Sequence, residues 1–308
     1  MISGQFLPEG RLLYTAHNRR HTATQTDLAA AALSDTVLEG RVSMCDTQHN
    51  LHVDLPAMPA IIPYEEGAIG IAEGTTRDIA LISRVGKAVS FVVTGFEHTP
   101  HGMRAVLSRK RAQQLARRYF EQAVRVGDII PAKVTRLENF GAFCDIGCGI
   151  PALVPIAGMS VSRISHPADR LAVGMDIYGV VSSVDGERIC LSCRELLGTW
   201  EENAALFSQG QTVVGVVRSV EAYGVFIELA PNLAGLAEPR EGVKAGDTVS
   251  VYIKSILPDK MKVKLIIIDT DTAPKAVTPP RYFITEGHLD RWQYSPIGSA
   301  KCIESNFT

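Results

Sequence analysis

The sequence predicts an all-β chain of three tandem five-stranded barrels, joined by short helices and flanked by extended terminal arms. Three observations predict it. AKVTRLENFGAFCDIGCGIPALV (132–154) aligns without a gap to GVVRSVEAYGVFIELAPNLAGLA (215–237), so one structural unit occurs at least twice. Within each copy, short apolar alternations are separated by turn signals, the pattern of half-buried strands. Helical patterns fall outside the copies.

The elements follow in order. Residues 1–35 form an N-terminal arm, in which TATQTDLAAAALSD (22–35) reads as one short helix capped by Thr24 or Thr26. Residues 36–107 are a degenerate copy: VLEGRVSMCDTQHNLHVDLP resembles the repeat's opening, and Leu51, Val53 and Leu55 supply the alternation. SRKRAQQLARRYFEQAV makes 108–124 a basic linker helix, followed by the second copy at 125–193. RELLGTWEENAALF predicts a linker helix over 194–208. The third copy, 209–270, resumes its alignment at Gly246 against Gly174, an offset of 72 instead of 83, so it lacks 11 residues of the intervening loop. The tail, 271–308, opens on a proline-rich stretch and carries Tyr282, Phe283, Trp292 and Tyr294, which predicts packing on the third barrel. Five short strands in about 60–75 residues suit a Greek-key barrel of the OB type, which closes on itself and protects its edges.

Composition excludes several classes. A chain of 308 residues with net charge −2 is no polycation, so any nucleic-acid contact rests on local clusters. The N-terminus lacks the apolar run of a signal peptide and no segment approaches a membrane span, which predicts a cytoplasmic protein. Scattered Cys45, Cys144, Cys148, Cys190, Cys193 and Cys302 fit a reduced compartment. A Cys144, Cys148, Cys190, Cys193 zinc site would need a core-facing Cys144 to converge with cysteines of opposite parity, so small buried residues are the reading here. No P-loop, G-x-S-x-G, H-E-x-x-H or paired-carboxylate arrangement is present. The expectation is no catalytic residue, no metal and no cofactor.

The stretch LENFGAFCDIG (137–147) carries the functional signal. Phe143 points away from the core face set by Ala142, Cys144 and Ile146, while Phe140 has the opposite parity. Gly141 between them predicts a bulge that brings both rings to one outer surface. The third copy repeats the pair as Tyr223 and Phe226; the first has His49 and His52 there. Exposed rings stack on bases, and single-stranded RNA can splay its bases onto them. Lys133 and Arg136 add cations to the strand before the rings. The barrels are otherwise near neutral, with seven Lys/Arg against eight Asp/Glu in 125–196 and seven against seven in 209–270. Stretch 104–125 holds seven cations against Glu121 alone, and Lys110, Arg111, Arg117 and Arg118 recur at helical spacing as a stripe suited to phosphates.

These residues resemble the tandem RNA-binding domains of the small-subunit ribosomal protein S-one family. The similarity is strongest over 125–196, where VGDIIPAKVTRLENFGAFCDIG and GMDIYGVVSSVDGERICLSCREL carry the family pattern. It is good over 209–270 and weak over 36–110. The resemblance implies that Phe140, Phe143, Tyr223 and Phe226 stack on RNA, and that a family cation near strand five corresponds to Arg188 and to Lys260 or Lys262. A family histidine after G-L-V is absent: Pro155 and Glu238 stand there, which removes one contact and adds a negative charge beside the third site.

The expectation is therefore a monomeric, non-enzymatic binder of single-stranded RNA, acting on mRNA in translation. By resemblance, the N-terminal arm and first domain would dock on the small ribosomal subunit. Two alternatives stay open: a protein-interaction scaffold, and an accessory RNA-binding subunit in RNA processing or decay.

Overall fold

The structure, a computed structural model, describes residues 4–100, 102–186, 188–271, 279–299 and 301–308. Part of the proline-rich stretch at the start of the tail, 272–278, lies outside them.

The N-terminal arm holds two helices, where the alanine-rich run predicted one: α1 (Ala16–His21), capped by Thr15, and α2 (Gln25–Leu33), capped by Thr24. The first barrel follows with β1 (Leu38–Cys45), β2 (Leu51–Asp54), β3 (Pro59–Ile62), a one-turn helix α3 (Ile79–Ile82), β4 (Ala88–Thr99) and β5 (Gly102–Ser108). Next is α4 (Arg109–Ala123), whose cap Ser108 accepts from the Arg111 N–H. Ala112, Ala116 and Phe120 recur every four residues on α4 and form its buried stripe.

The second barrel is β6 (Ile129–Glu138), β7 (Gly141–Asp145), β8 (Pro151–Pro155), β9 (Asp176–Asp185) and β10 (Arg188–Ser192). The predicted helix over 194–208 is broken: a 3-10 turn, Arg194–Leu197, is cut by Gly198 at φ 83°, before α5 (Trp200–Ala204) starts on a Thr199–Glu202 capping box. The third barrel is β11 (Thr212–Glu221), β12 (Gly224–Ala230), β13 (Leu233–Ala237), β14 (Thr248–Leu257) and β15 (Lys262–Asp271). A hairpin of β16 (Arg291–Gln293) and β17 (Glu304–Asn306) ends the chain.

All three barrels close with one circular order, strands 1-2-3-5-4, in which the third and fifth strands pair in parallel. Closure needs local bends. The first strands of barrels one and three skip a residue against their partners at Ser43 and Arg218, the bulges that let a short sheet curl.

The chain divides into two compact units. The first comprises residues 1–124 with 131–133 and 145–151. Its polar centre is a set of buried carboxylates that hold the N-terminal segment. Glu9 receives Arg109 Nε at 2.7 Å and Arg84 Nη1 at 3.0 Å. Asp145 accepts the Glu9, Gly147 and Gly149 N–H groups. Glu39 accepts those of Gly10, Leu12 and Leu13. The arm is thus folded in, not extended.

Burial, together with the neighbouring Glu9 charge, pushes Glu39 up to about 7 and Asp145 up to about 6, against the opposing N–H donors. A carboxyl raised on folding favours the folded state most below its unfolded value and loses that contribution as pH rises through its folded value. Glu9, held low against desolvation by Arg109 and Arg84, works oppositely and only in acid. The first unit should therefore lose stability between about pH 4 and 7, by up to about 3 kcal/mol through Glu39. Glu39→Gln should flatten that slope in denaturant titrations followed by circular dichroism. An unchanged slope would place the titration elsewhere.

The second unit comprises 125–130, 134–144 and 152–308. Here the 156–171 loop, much of which has no counterpart in the third copy, grips the third barrel. Buried Glu228 takes Arg170 in a bidentate pair and Arg218 Nε at 2.8 Å. Fully buried Asn232 accepts the Val161 N–H and donates to the Arg194 and Gly198 carbonyls. The tail seals both barrels, not the third alone as the aromatic count suggested. Tyr282 packs edge-on against Tyr178 of β9, its hydroxyl accepting the Tyr178 N–H; Leu289 N–H bonds to the Gly127 carbonyl. Trp292 and Tyr294 join Trp200, Val217, Ile227 and Val251 in the third barrel's core.

Candidate nucleic-acid interface

The β11–β12 hairpin turns on two residues, since Glu221 faces Gly224 directly. Tyr223 occupies the turn and is 68% exposed; Phe226, two residues into β12, is half-buried. Their rings meet edge to face, centroids 6.1 Å apart at 88°. In the second barrel Phe140 lies in the turn between β6 and β7, 56% exposed, and meets Phe143 at 6.0 Å and 88°. Two sequences separated by 83 positions thus build the same ledge.

The glycine's role differs from the expected bulge. In the third barrel bulges lie on β11 at Arg218, opposite the ring strand, and at Leu229 beyond the rings on β12, while Gly224 opens β12. Both rings reach one surface because the first precedes the strand, where strand parity does not apply. A Cβ on Gly141 would come within 2.5 Å of the Val154 carbonyl oxygen, and one on Gly224 within 2.6 Å of that of Ala237. The glycine lets the third strand approach, and that approach fixes the ledge.

Around the second ledge, the Arg136 guanidinium sits 4.7 Å from the Phe143 centroid while Nε pairs with Glu138 at 3.1 Å. A cation over a ring face is held by the ring's quadrupole and leaves N–H groups for a phosphate. Arg188 is exposed at the head of β10, facing Asp185. Lys262 occupies the matching place at the head of β15, facing Leu257. Lys260 is exposed in the preceding 3-10 turn.

Sheet register adds residues that spacing missed. Leu236 pairs with Phe226 on one side and with Lys264 on the other, so an outward-facing row runs Phe226, Leu236, Lys264 across three strands. In the second barrel Leu153 faces Cys190 in the equivalent pairing, both half-buried. Alignment at offset 83 contained the Leu153–Leu236 match; a parallel strand pairing is not visible in spacing.

In the first barrel, register places His49 opposite the role of Tyr223 and His52 opposite that of Phe226. His52 Nε2 lies 3.2 Å from Asp46 and His49 Nδ1 3.4 Å from Asp78. Although desolvation opposes it, hydrogen bonds from Asn50, His52 and Gln48 hold Asp46 down at about 2. These imidazoles are tied to carboxylates and form no ledge.

Three cationic expectations need correction. Four of the seven cations counted over 104–125 pair with acids elsewhere in the first unit: Arg104 with Glu97, Arg109 with Glu9, Lys110 with Glu66 at 4.0 Å and Arg111 with Asp35 at 2.7 Å. Arg118 is exposed. Arg111 is therefore engaged within the fold, and a phosphate would have to displace Asp35. Lys133 Nζ donates to the Glu9 carbonyl at 3.0 Å, so it anchors the N-terminal segment. Cys144, Cys148 and Cys193 are buried, Cys190 half-buried. Among the described residues no three His, Cys, Asp or Glu side chains converge as metal ligands, and no helix is long and apolar enough to cross a membrane.

Comparison with known proteins places residues 123–194 on the family model described as S1 RNA binding domain. Small ribosomal subunit protein bS1 homolog of Bacillus subtilis is 30% identical over 209 residues, 62% of this chain and 54% of that protein. Small ribosomal subunit protein bS1 of Leuconostoc lactis is 32% identical over 197 residues, 58% of this chain and 46% of that protein. That of Staphylococcus haemolyticus is 33% identical over 189 residues, 56% and 48%. The chain spans about half the length of these curated relatives. Among solved structures, GSP13 from Bacillus subtilis is 26% identical, covers 28% of this chain and 73% of that one, and superposes with a TM-score of 0.23.

Proposed function

We propose that this chain, similar to the S1 proteins of the small ribosomal subunit, holds single-stranded RNA without acting on it chemically. Its setting is translation, in the cytoplasm, with mRNA as the ligand. The observation that carries this is the ring pair built twice with one geometry, 88° and about 6 Å, on outer surfaces that no core requires. Phe140, Phe143, Arg136 and Arg188 form the second barrel's site. Tyr223, Phe226 and Lys262, with Lys260 in the turn beside it, form the third's. The described N-terminal residues are folded into the first unit, so docking on the small subunit falls to the first barrel, whose histidines replace the rings. The chain acts as a monomer.

The test is a titration of the full chain with a single-stranded oligoribonucleotide and with its duplex. Single strands should bind more tightly, because paired bases cannot splay onto a ledge. Equal affinity for the two, or none, would remove the reading. Sedimentation of the tagged protein from lysate should place it with the small subunit; co-purification with a nuclease instead would favour a role in RNA processing or decay.

A further inference from the structure

The two ledges have different surroundings. In the third barrel the outward positions of β15 are Lys262 and Lys264, then Ile266 and Ile268, all exposed. Lys254 is exposed on the neighbouring strand, in the bulge between Ile253, which faces Leu265, and Ser255, which faces Lys264. Lys264 also faces Leu236, which faces Phe226. Among the described residues, none of Lys254, Lys260, Lys262 and Lys264 has an ion-pair partner, in contrast with Arg104, Arg109, Lys110 and Arg111 of the first unit. In the second barrel the position matching Lys264 is Cys190, which brings no charge to the row.

We propose that the third barrel is the electrostatic anchor for RNA, with Lys254 and Lys264 contacting phosphates beside the Tyr223–Phe226 ledge, while the second barrel holds bases mainly by stacking. The inference rests on the RNA-binding reading above and deepens it. Tyr223 and Phe226 place a base over the row, and a strand continuing along that row brings its phosphates to ammonium groups that owe nothing to internal acids. A lysine already paired must first lose its partner, so the unpaired cations dominate counterion release. Glu238, exposed just past β13, opposes anions at the other margin of the ledge. It leaves the β14–β15 side as the favoured path.

Salt dependence separates these roles. For single-stranded RNA each phosphate contact contributes a slope of about −0.7 to log affinity against log salt. K254Q/K264Q should make that slope shallower by about 1.4 between roughly 50 and 200 mM salt, with affinity at the low end falling about tenfold or more. K254R/K264R should keep the unaltered slope. R111Q should leave the slope unchanged, because Arg111 is already paired with Asp35. An unaltered slope in K254Q/K264Q, or a loss confined to R111Q, would overturn this inference while leaving RNA binding in place. Failure of the unaltered chain to bind any single-stranded oligonucleotide would overturn both readings together.

Discussion

Alanine at both Phe140 and Phe143 is expected to lower affinity for single-stranded RNA by about 2–4 kcal/mol, roughly 30- to 900-fold. The estimate follows from about 1–3 kcal/mol per stacked base, reduced because rings in contact do not contribute independently. Phe140 is more than half exposed, so its loss removes little packing and the fold should survive. Arg136 would also lose the ring beneath it, adding a small part of the effect. Fluorescence anisotropy with a labelled oligonucleotide measures the change, with Tyr223→Ala and Phe226→Ala in parallel. A shift below about 0.5 kcal/mol, well under a stacked base, would assign the ledge to a protein partner and support the scaffold reading.

The largest expected stability effect lies at Arg109. Its guanidinium and the Glu9 carboxylate are nearly inaccessible, at 3% and 5% side-chain exposure. Arg109→Met leaves Glu9 to Arg84 alone, in a space shared with Asp145 and Glu39. Removing one member of a buried pair typically costs about 3–5 kcal/mol, mostly because the other charge is stranded. That is a large part of an ordinary domain's stability. Removing both charges in E9L/R109M should restore part of the loss, since only the more exposed Arg84 is then left without its partner. Hydrogen exchange of the first unit reads this directly; protection within about 1 kcal/mol of the unaltered chain in R109M would show that the backbone contacts of 9–13 hold the segment without the pair.

The barrels were legible because each strand alternates over a closed core and because the repeat aligns gap-free over 23 residues. The ring pairs were legible for the same reason: a burial pattern identifies what it leaves outside. Less was visible wherever partners lie far apart in sequence. Lys110 and Glu66, Arg111 and Asp35, and Arg109 and Glu9 are 44, 76 and 100 positions apart, so a charge count over one stretch overstated its free cations. Gly141 was read along its own strand, whereas its constraint comes from Val154 on the next. Lys264 was passed over because only parallel pairing sets it beside Leu236. The N-terminal arm was read as extended because the partners that fold it in, Glu39 for the Gly10 N–H and Arg109 for Glu9, lie outside it in the sequence.

The tail has a practical consequence. The chain has two tryptophans, and both, Trp200 and Trp292, sit in one hydrophobic cluster of the third barrel. Intrinsic indole emission therefore reports melting of that barrel alone, and damage at Arg109 or Glu39 would pass unseen by it. Anyone following denaturation by this optical signal would record a single clean transition and overlook the rest of the molecule.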